Sequence, residues 1–110
     1  MITVSRRDLH LGYQAAQSTH AAINFHYEYP DISKEWFHNS NYIVQLTLPD
    51  EQSLLEFSNK LKDKGLKIVE FREPDIDNQL TAIAIEPSDL ARKLCSQLPL
   101  MFKEYRNIVI

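Results

Sequence analysis

Little in this chain can act as a staple, a hinge or an anchor. Cysteine occurs once, at Cys95, which excludes an internal disulfide and suits a reducing compartment. Set among Leu90, Leu94 and Leu98, that thiol is expected to be buried rather than to act as a nucleophile. No apolar run approaches the length of a membrane span, and "MITVSRRDLH" has no apolar leader segment. No membrane partner is therefore expected, and the expected location is the cytoplasm. Positive charge is not in excess either: 12 Lys and Arg against 15 Asp and Glu leave a net charge of -3. That argues against non-specific coating of nucleic acid, while Arg6, Arg7, Lys103 and Arg106 remain available for a local basic patch. Glycine is scarce, with Gly12 and Gly65 alone, and both fall at predicted element boundaries. Repeats, low-complexity tracts and linkers are absent.

What is present is ordinary for a globular domain. The 110 residues are 44% hydrophobic and 25% charged, enough for one domain over residues 1–110 to bury a core. "ITVS" reads as a first strand, and the loop "RRDLHL" leads through Gly12 into a helix that Pro30 is expected to stop. "ISKEWF" reads as a short helical turn or loop. "NYIVQLTLP" alternates, with Tyr42, Val44, Leu46 and Leu48 on one face, and is a predicted strand. Asp50 is the expected N-cap of an amphipathic helix carrying Leu54, Leu55, Phe57 and Leu61, with Gly65 as its left-handed stop. "LKIVEF" and "LTAIAIEP" are further strands on either side of the polar loop "REPDIDNQ". Ser88 caps a last helix with Leu90, Leu94 and Leu98, and "LPLMFKEYRNIVI" closes as a turn and an extended tail. The order β-α-β-α-β-β-α predicts an α/β fold with a mixed sheet and helices on both faces. In such sheets ligands sit beyond strand ends, near helix N-termini.

The first helix, "GYQAAQSTHAAINF", mixes Ala with Gln, Ser, Thr and His. Ala15, Ala16, Ala21 and Ala22 would let a helix lie close on a sheet through packing alone. Helical spacing sets Ala16, His20, Ile23 and Tyr27 on one stripe and Gln17, Asn24 and Glu28 on another. Taken by itself His20 reads as a core histidine. Ser18 and His20 point about 200° apart on a helix, so they form no nucleophile–base pair within it. His10, His26 and His38 lack metal-ligand spacing, and Trp36 is expected to cover a sheet edge rather than stack a base. Asp75, Asp77 and Asn78 are turn residues without the twelve-residue spacing of a calcium loop, so no metal is expected.

"AAQSTHA", Ala15 to Ala21, resembles the opening-helix signature of the type II peptidyl-tRNA hydrolases, Ala-Ala-Gln-Cys/Ser-Ser/Thr-His-Ala preceded by a glycine and a lysine. "RRDL" with Gly12, the "KEWF" tryptophan and "TAIAIEP", Thr81 to Pro87, extend the resemblance to about residue 90. It implies a three-layer α/β/α domain around a mixed four-stranded sheet, often dimeric. It also implies hydrolysis of the ester between peptide and tRNA, with peptidyl-tRNA as substrate and no metal or cofactor. Carried onto these residues, the catalytic group comprises Tyr13, Gln17, His20 and Glu73 or Asp75, with Arg6, Asp8, Gly12, Ser18 and Thr81 as binding residues. The residues depart from the pattern at Tyr13, where the family carries its lysine: a phenol donates one hydrogen bond and stays neutral near pH 7. A shorter "EPDIDN" loop, Glu73 to Asn78, stands for the family's Asp-Ala-Gly, and either Glu73 or Asp75 suits the acidic role. The missing lysine, the shorter loops and the acidic balance also support an alternative, a catalytically inactive binding or interaction module on the same fold.

Overall fold

The computed structural model describes residues 1–103. Its elements run β1 (Ile2–Arg6), α1 (Leu11–Glu28), α2 (Pro30–His38), β2 (Val44–Leu48), α3 (Glu51–Asp63), β3 (Ile68–Glu73), β4 (Gln79–Ile85) and α4 (Asp89–Leu94). The expected order of strands and helices is present, with one addition. Pro30 does end α1, but it also opens α2, where its missing N–H costs nothing at the first helical position. "ISKEWF" is thus part of a nine-residue helix rather than a turn.

Three further boundaries differ from expectation. The second strand begins at Val44, not Asn41, because Asn41 adopts a positive φ of 53° and the Tyr42 carbonyl accepts the Trp36 indole N–H at 2.7 Å. The third strand extends through Arg72 and Glu73, which pair with Leu80 and Gln79; a 3-10 turn over Pro74–Ile76 then reverses the chain. The last helix stops at Leu94, so Leu98 lies beyond it. Past that helix, Leu100 bridges antiparallel to Leu46 on the edge of β2. The tail residues 104–110, Arg106 among them, lie outside the described residues.

Among the described residues the four strands lie in the order β2-β1-β4-β3. The β1 and β2 strands are parallel, and β4 is antiparallel to both β1 and β3, so β1, β2 and β3 all point the same way. Their C-terminal ends therefore share one end of the sheet with the N-termini of α1 and α3. One face of the sheet carries α1 and α2 over Ala21, Phe25, Val69, Ala82 and Ala84. The other carries α3 and α4 over Val4, Leu54, Leu61, Ile83 and Ile85, which completes the α/β/α layering. Burying each large aliphatic side chain here contributes about 2 kcal/mol.

Strand alternation breaks at one place that matters. Phe71 pairs with Ala82 but Arg72 pairs with Leu80, so Thr81 is an extra residue in β4. Leu80 and Ile83 still face α3, while Ala82 faces α1 and Thr81 bonds to Gln17 on that helix. The bulge thereby turns two consecutive residues toward α1.

Asp50 closes a reciprocal capping box with Ser53 at the start of α3, and Gly65 ends that helix region at φ +85°. A Cβ at Gly65 would meet nothing within 4 Å, so the backbone angle alone demands glycine. Gly65→Ala is expected to lower the unfolding free energy by about 1 kcal/mol, the left-handed penalty for an L side chain. Urea denaturation with an unchanged m-value checks this.

Candidate functional site

The core-facing positions of α1 are Gln14, Gln17, Ser18, Ala21 and Phe25. Of the four alanines expected to seat the helix, only Ala21 is buried; Ala15 and Ala22 are half-buried and Ala16 is exposed. Small residues therefore explain one contact, and the N-terminal half of the buried stripe is polar. Its amides are held. The Gln14 Nε2 donates to the Leu9 carbonyl at 2.6 Å, tying the β1–α1 loop to the helix. His10 is the N-cap, its Nδ1 accepting from the Tyr13 N–H at 3.3 Å.

Gln17 is the centre of the site. It is 1% exposed, so both ends of its carboxamide need partners. The Thr81 hydroxyl, turned toward α1 by the bulge, donates to Gln17 Oε1 at 2.5 Å. The Gln17 Nε2 donates to Glu73 Oε1 at 2.9 Å. An ionised carboxylate only accepts, so this contact fixes which way the amide points. The outcome is a directed chain from the β4 hydroxyl through the α1 amide to the carboxylate ending β3.

Of the two acids left open by the residues, Glu73 is the one brought against α1. Its other oxygen accepts from the Asp75 N–H at 3.4 Å, capping the 3-10 turn. Asp75 itself is exposed on that turn. Tyr13 sits one turn before Gln17 on the helix and feels both acids. Its hydroxyl pKa is raised, first by desolvation and then by the negative charges of Glu73 and Asp75, so the phenol stays protonated and able to donate.

His20 is exposed, not a core residue. Its imidazole stacks on Phe71 of β3, with centroids 4.6 Å apart and planes within 6°, and it makes no side-chain hydrogen bond among the described residues. It stands beside Gln17 along β3, while Ile23 and Tyr27, expected on its stripe, are exposed. Ser18 is fully buried and its hydroxyl has no partner among the described residues.

Arg6 and Asp8 form a separate group on the same end of the sheet. The Arg6 Nε and Nη2 donate to the two oxygens of Asp8 at 2.9 and 2.8 Å, and Nη1 donates to Gln79 Oε1 and the Leu80 carbonyl. Arg6 is only 7% exposed, and the Asp8 hydrogen bonds raise its pKa further above the ordinary value. A bidentate, buried guanidinium of this kind holds a strand end together. No hydrogen bond joins this group to Gln17, Glu73 or Thr81 among the described residues. Gly12 is exposed at the second position of α1, and a Cβ there would lie 3.8 Å from the His10 ring, an ordinary contact. The residues gave no signal for Phe71 or Gln79, whose roles come from pairing across the sheet.

Several clefts open at the opposite end of the molecule, among them one of about 310 Å³ between Trp36 and Glu86. A second, of about 330 Å³, is lined by Tyr42, Val44, Asp89 and Arg92; a third, of about 210 Å³, by Ala22, Ile23, Trp36 and Ile43. None of them holds a hydroxyl–amide–carboxylate chain; that arrangement lies on the open strand-end surface. Among the described residues no group of three or more His, Cys, Asp or Glu side chains is placed to hold a metal. Burial raises the Cys95 thiol to about 11, which leaves it a poor nucleophile. No helix of the described residues is long and apolar enough to cross a membrane.

Fold and site together define an α/β/α protein with a hydroxyl–amide–carboxylate relay where a signature helix meets the strand ends. The chain belongs to the peptidyl-tRNA hydrolase PTH2 family, whose model matches residues 1–101. Comparison with curated proteins finds no match.

Two expectations follow from the site. Ser18→Ala removes a buried hydroxyl that lacks a partner, so thermal stability is expected to stay level or rise, as desolvating such a group is costly; calorimetry reads this. The Tyr13 phenol is expected to titrate above about 10, and Glu73→Gln is expected to move it back down, as followed by the tyrosine Cζ resonance that Tyr13→Phe assigns.

Proposed function

We propose that this chain hydrolyses the ester joining a peptide to the 3′ end of tRNA. The observation that carries this reading is the Gln17 Nε2 to Glu73 Oε1 hydrogen bond, which ties the family's signature helix to an acid across the strand ends. On this reading Glu73 is the general base. It takes a proton from water, and the water oxygen attacks the ester carbonyl carbon. The tetrahedral intermediate then expels the ribose oxygen, which recovers the proton from Glu73. Gln17 and Thr81 act as positioning residues: their directed chain holds the carboxylate and leaves its remaining lone pairs for water. Tyr13 donates its phenolic hydrogen bond to the developing oxyanion or to the leaving oxygen.

The start of α1 adds neutral donors. The Tyr13 and Gln14 N–H groups are taken by His10, which leaves those of Leu11 and Gly12 without an intrahelical acceptor. The absence of a side chain at Gly12 keeps that approach open. Arg6 and Asp8 shape the floor of the site through their mutual pairing, and no metal or cofactor is part of this mechanism. The place of action is the cytoplasm, and pairing into a homodimer belongs to the same reading, with light scattering as its measurement.

A second reading, an interaction module without turnover, is favoured by the one position where the family's lysine is replaced, Tyr13. Hydrolysis of purified peptidyl-tRNA separates the two. Wild type is expected to turn over above buffer. Glu73→Gln is expected to lose roughly 10²- to 10⁴-fold in kcat, the usual worth of general-base assistance, while Asp75→Asn stays within a few-fold. Absence of turnover by wild type would establish the module instead, and equal losses for both acids would remove Glu73 from its role.

A further inference from the structure

His20 is fixed in an unusual way for a residue of a catalytic helix. No hydrogen bond orients its ring nitrogens among the described residues, whereas a working base is normally aimed by a third group. What the fold does fix is the ring plane. Phe71, on the strand face that also carries Glu73, lies parallel beneath the imidazole at 4.6 Å. Phe71 is half-buried and His20 exposed, so the order outward from the sheet is phenyl, imidazole, solvent. The outer imidazole face is therefore a flat π surface held beside the Gln17–Glu73 bond.

The charge around it favours such a surface. The exposed side chains at this end of the sheet include Asp8, Asp75 and Asp77 beside the half-buried Glu73, while Arg6 is consumed by Asp8 and the exposed Arg7 is drawn to Thr47 on the β2 side. Arg72 is drawn to the Asn78 carbonyl and toward Glu70. A polyanion is gripped poorly by such a rim. Stacking on an aromatic face adds affinity without phosphate contacts and tolerates any base.

We propose that the outer face of His20, backed by Phe71, is the stacking platform for the terminal base of the acylated RNA strand, so that His20 binds substrate and transfers no proton. The inference rests on the proposed ester hydrolysis for its substrate class. It sets the ribose ester next to Glu73, because the acylated ribose carries that base.

The test uses the trinucleotide CpCpA as probe, titrated into the full chain and its variants and followed by the backbone amide resonances of α1 and β3, together with peptidyl-tRNA kinetics. His20→Ala is expected to weaken CpCpA binding and raise KM at least about fivefold, the loss of one base–aromatic stack, with kcat within about twofold. His20→Phe is expected to restore both to within about threefold, since it keeps the π face and removes the nitrogens. Unchanged CpCpA binding in His20→Ala would overturn the proposal. So would a loss of kcat shared by His20→Ala and His20→Phe, which marks proton transfer. A KM effect seen only for substrates with an aromatic C-terminal residue, with CpCpA unaffected, assigns the platform to the peptide and equally overturns it. If wild type binds CpCpA through His20 yet hydrolyses nothing, the ester reading fails and the platform stands.

Discussion

A buried carboxamide that must satisfy both of its ends organises this molecule's functional end. Gln17 is sealed between α1 and the sheet, where an unpaired amide oxygen or nitrogen would carry a penalty of a few kcal/mol. Thr81 and Glu73 remove that penalty from opposite sides, and each can do so only because of a backbone feature. Thr81 reaches the helix because β4 gains one residue opposite Phe71 and Arg72. Glu73 reaches it because β3 continues two residues past Phe71 before the 3-10 turn. The relay is thus a constraint on strand register as much as a hydrogen-bond chain: shifting β4 by one residue would bury the amide unpaired.

The buried stripe of α1 changes character along its length for the same reason. Toward the C-terminus, Ala21 and Phe25 meet Val69, Ala82 and Ala84 in an apolar layer. Toward the N-terminus, Gln14, Gln17 and Ser18 are buried instead, and Ser5 of β1 is buried with an unpartnered hydroxyl. The apolar half anchors the helix; the polar half fixes directions. Such a division gives up cohesion near the strand ends and gains orientation there, as expected of a site whose groups must be aimed rather than merely packed.

Much of this was legible in the residues, and the reasons for the misses are physical. The Asp50 cap and the Gly65 stop are local signals, and the structure carries both; the alternation expected from Tyr42 to Leu48 fails at its start, where Tyr42 lies outside the strand and Val44 is exposed, while Thr47 is buried beside Leu46. Cys95 is buried as its leucine-rich surroundings predict, with Leu94 and Leu98 against the same cluster, while Leu90 is exposed. Pro30 carries two meanings, stop and start, and only the geometry of the following turn chooses between them. Glu73 and Asp75 are two residues apart and chemically alike; what separates them is that one ends a strand facing α1 while the other sits on the exposed turn. The bulge at Thr81 leaves no mark in "QLTAIAI", because an extra residue in one strand is defined by its partner. Taken by itself His20 reads as a core residue because helical phase does not show that Phe71 receives the ring at the outer margin of the interface; the motif resemblance is what marks it for the site.

Tyr13 is where the electrostatics of the site turn. A lysine there would place a permanent cation against Glu73 and Asp75. A phenol leaves both acids without that counterion, and desolvation together with their charge raises its pKa and keeps it protonated. The surroundings of Tyr13 then hold negative charge on Glu73 and Asp75 and neutral donors in the Tyr13 hydroxyl and the N–H groups opening α1. Stabilising an oxyanion with neutral dipoles works when they are fixed in advance, since no reorganisation is needed as charge develops. At the start of α1, His10 accepts from the Tyr13 N–H and Gln14 ties the preceding loop to the helix through the Leu9 carbonyl. On the proposed ester hydrolysis, neutral donors in place of a cation shift the demand for substrate affinity from charge toward shape and stacking.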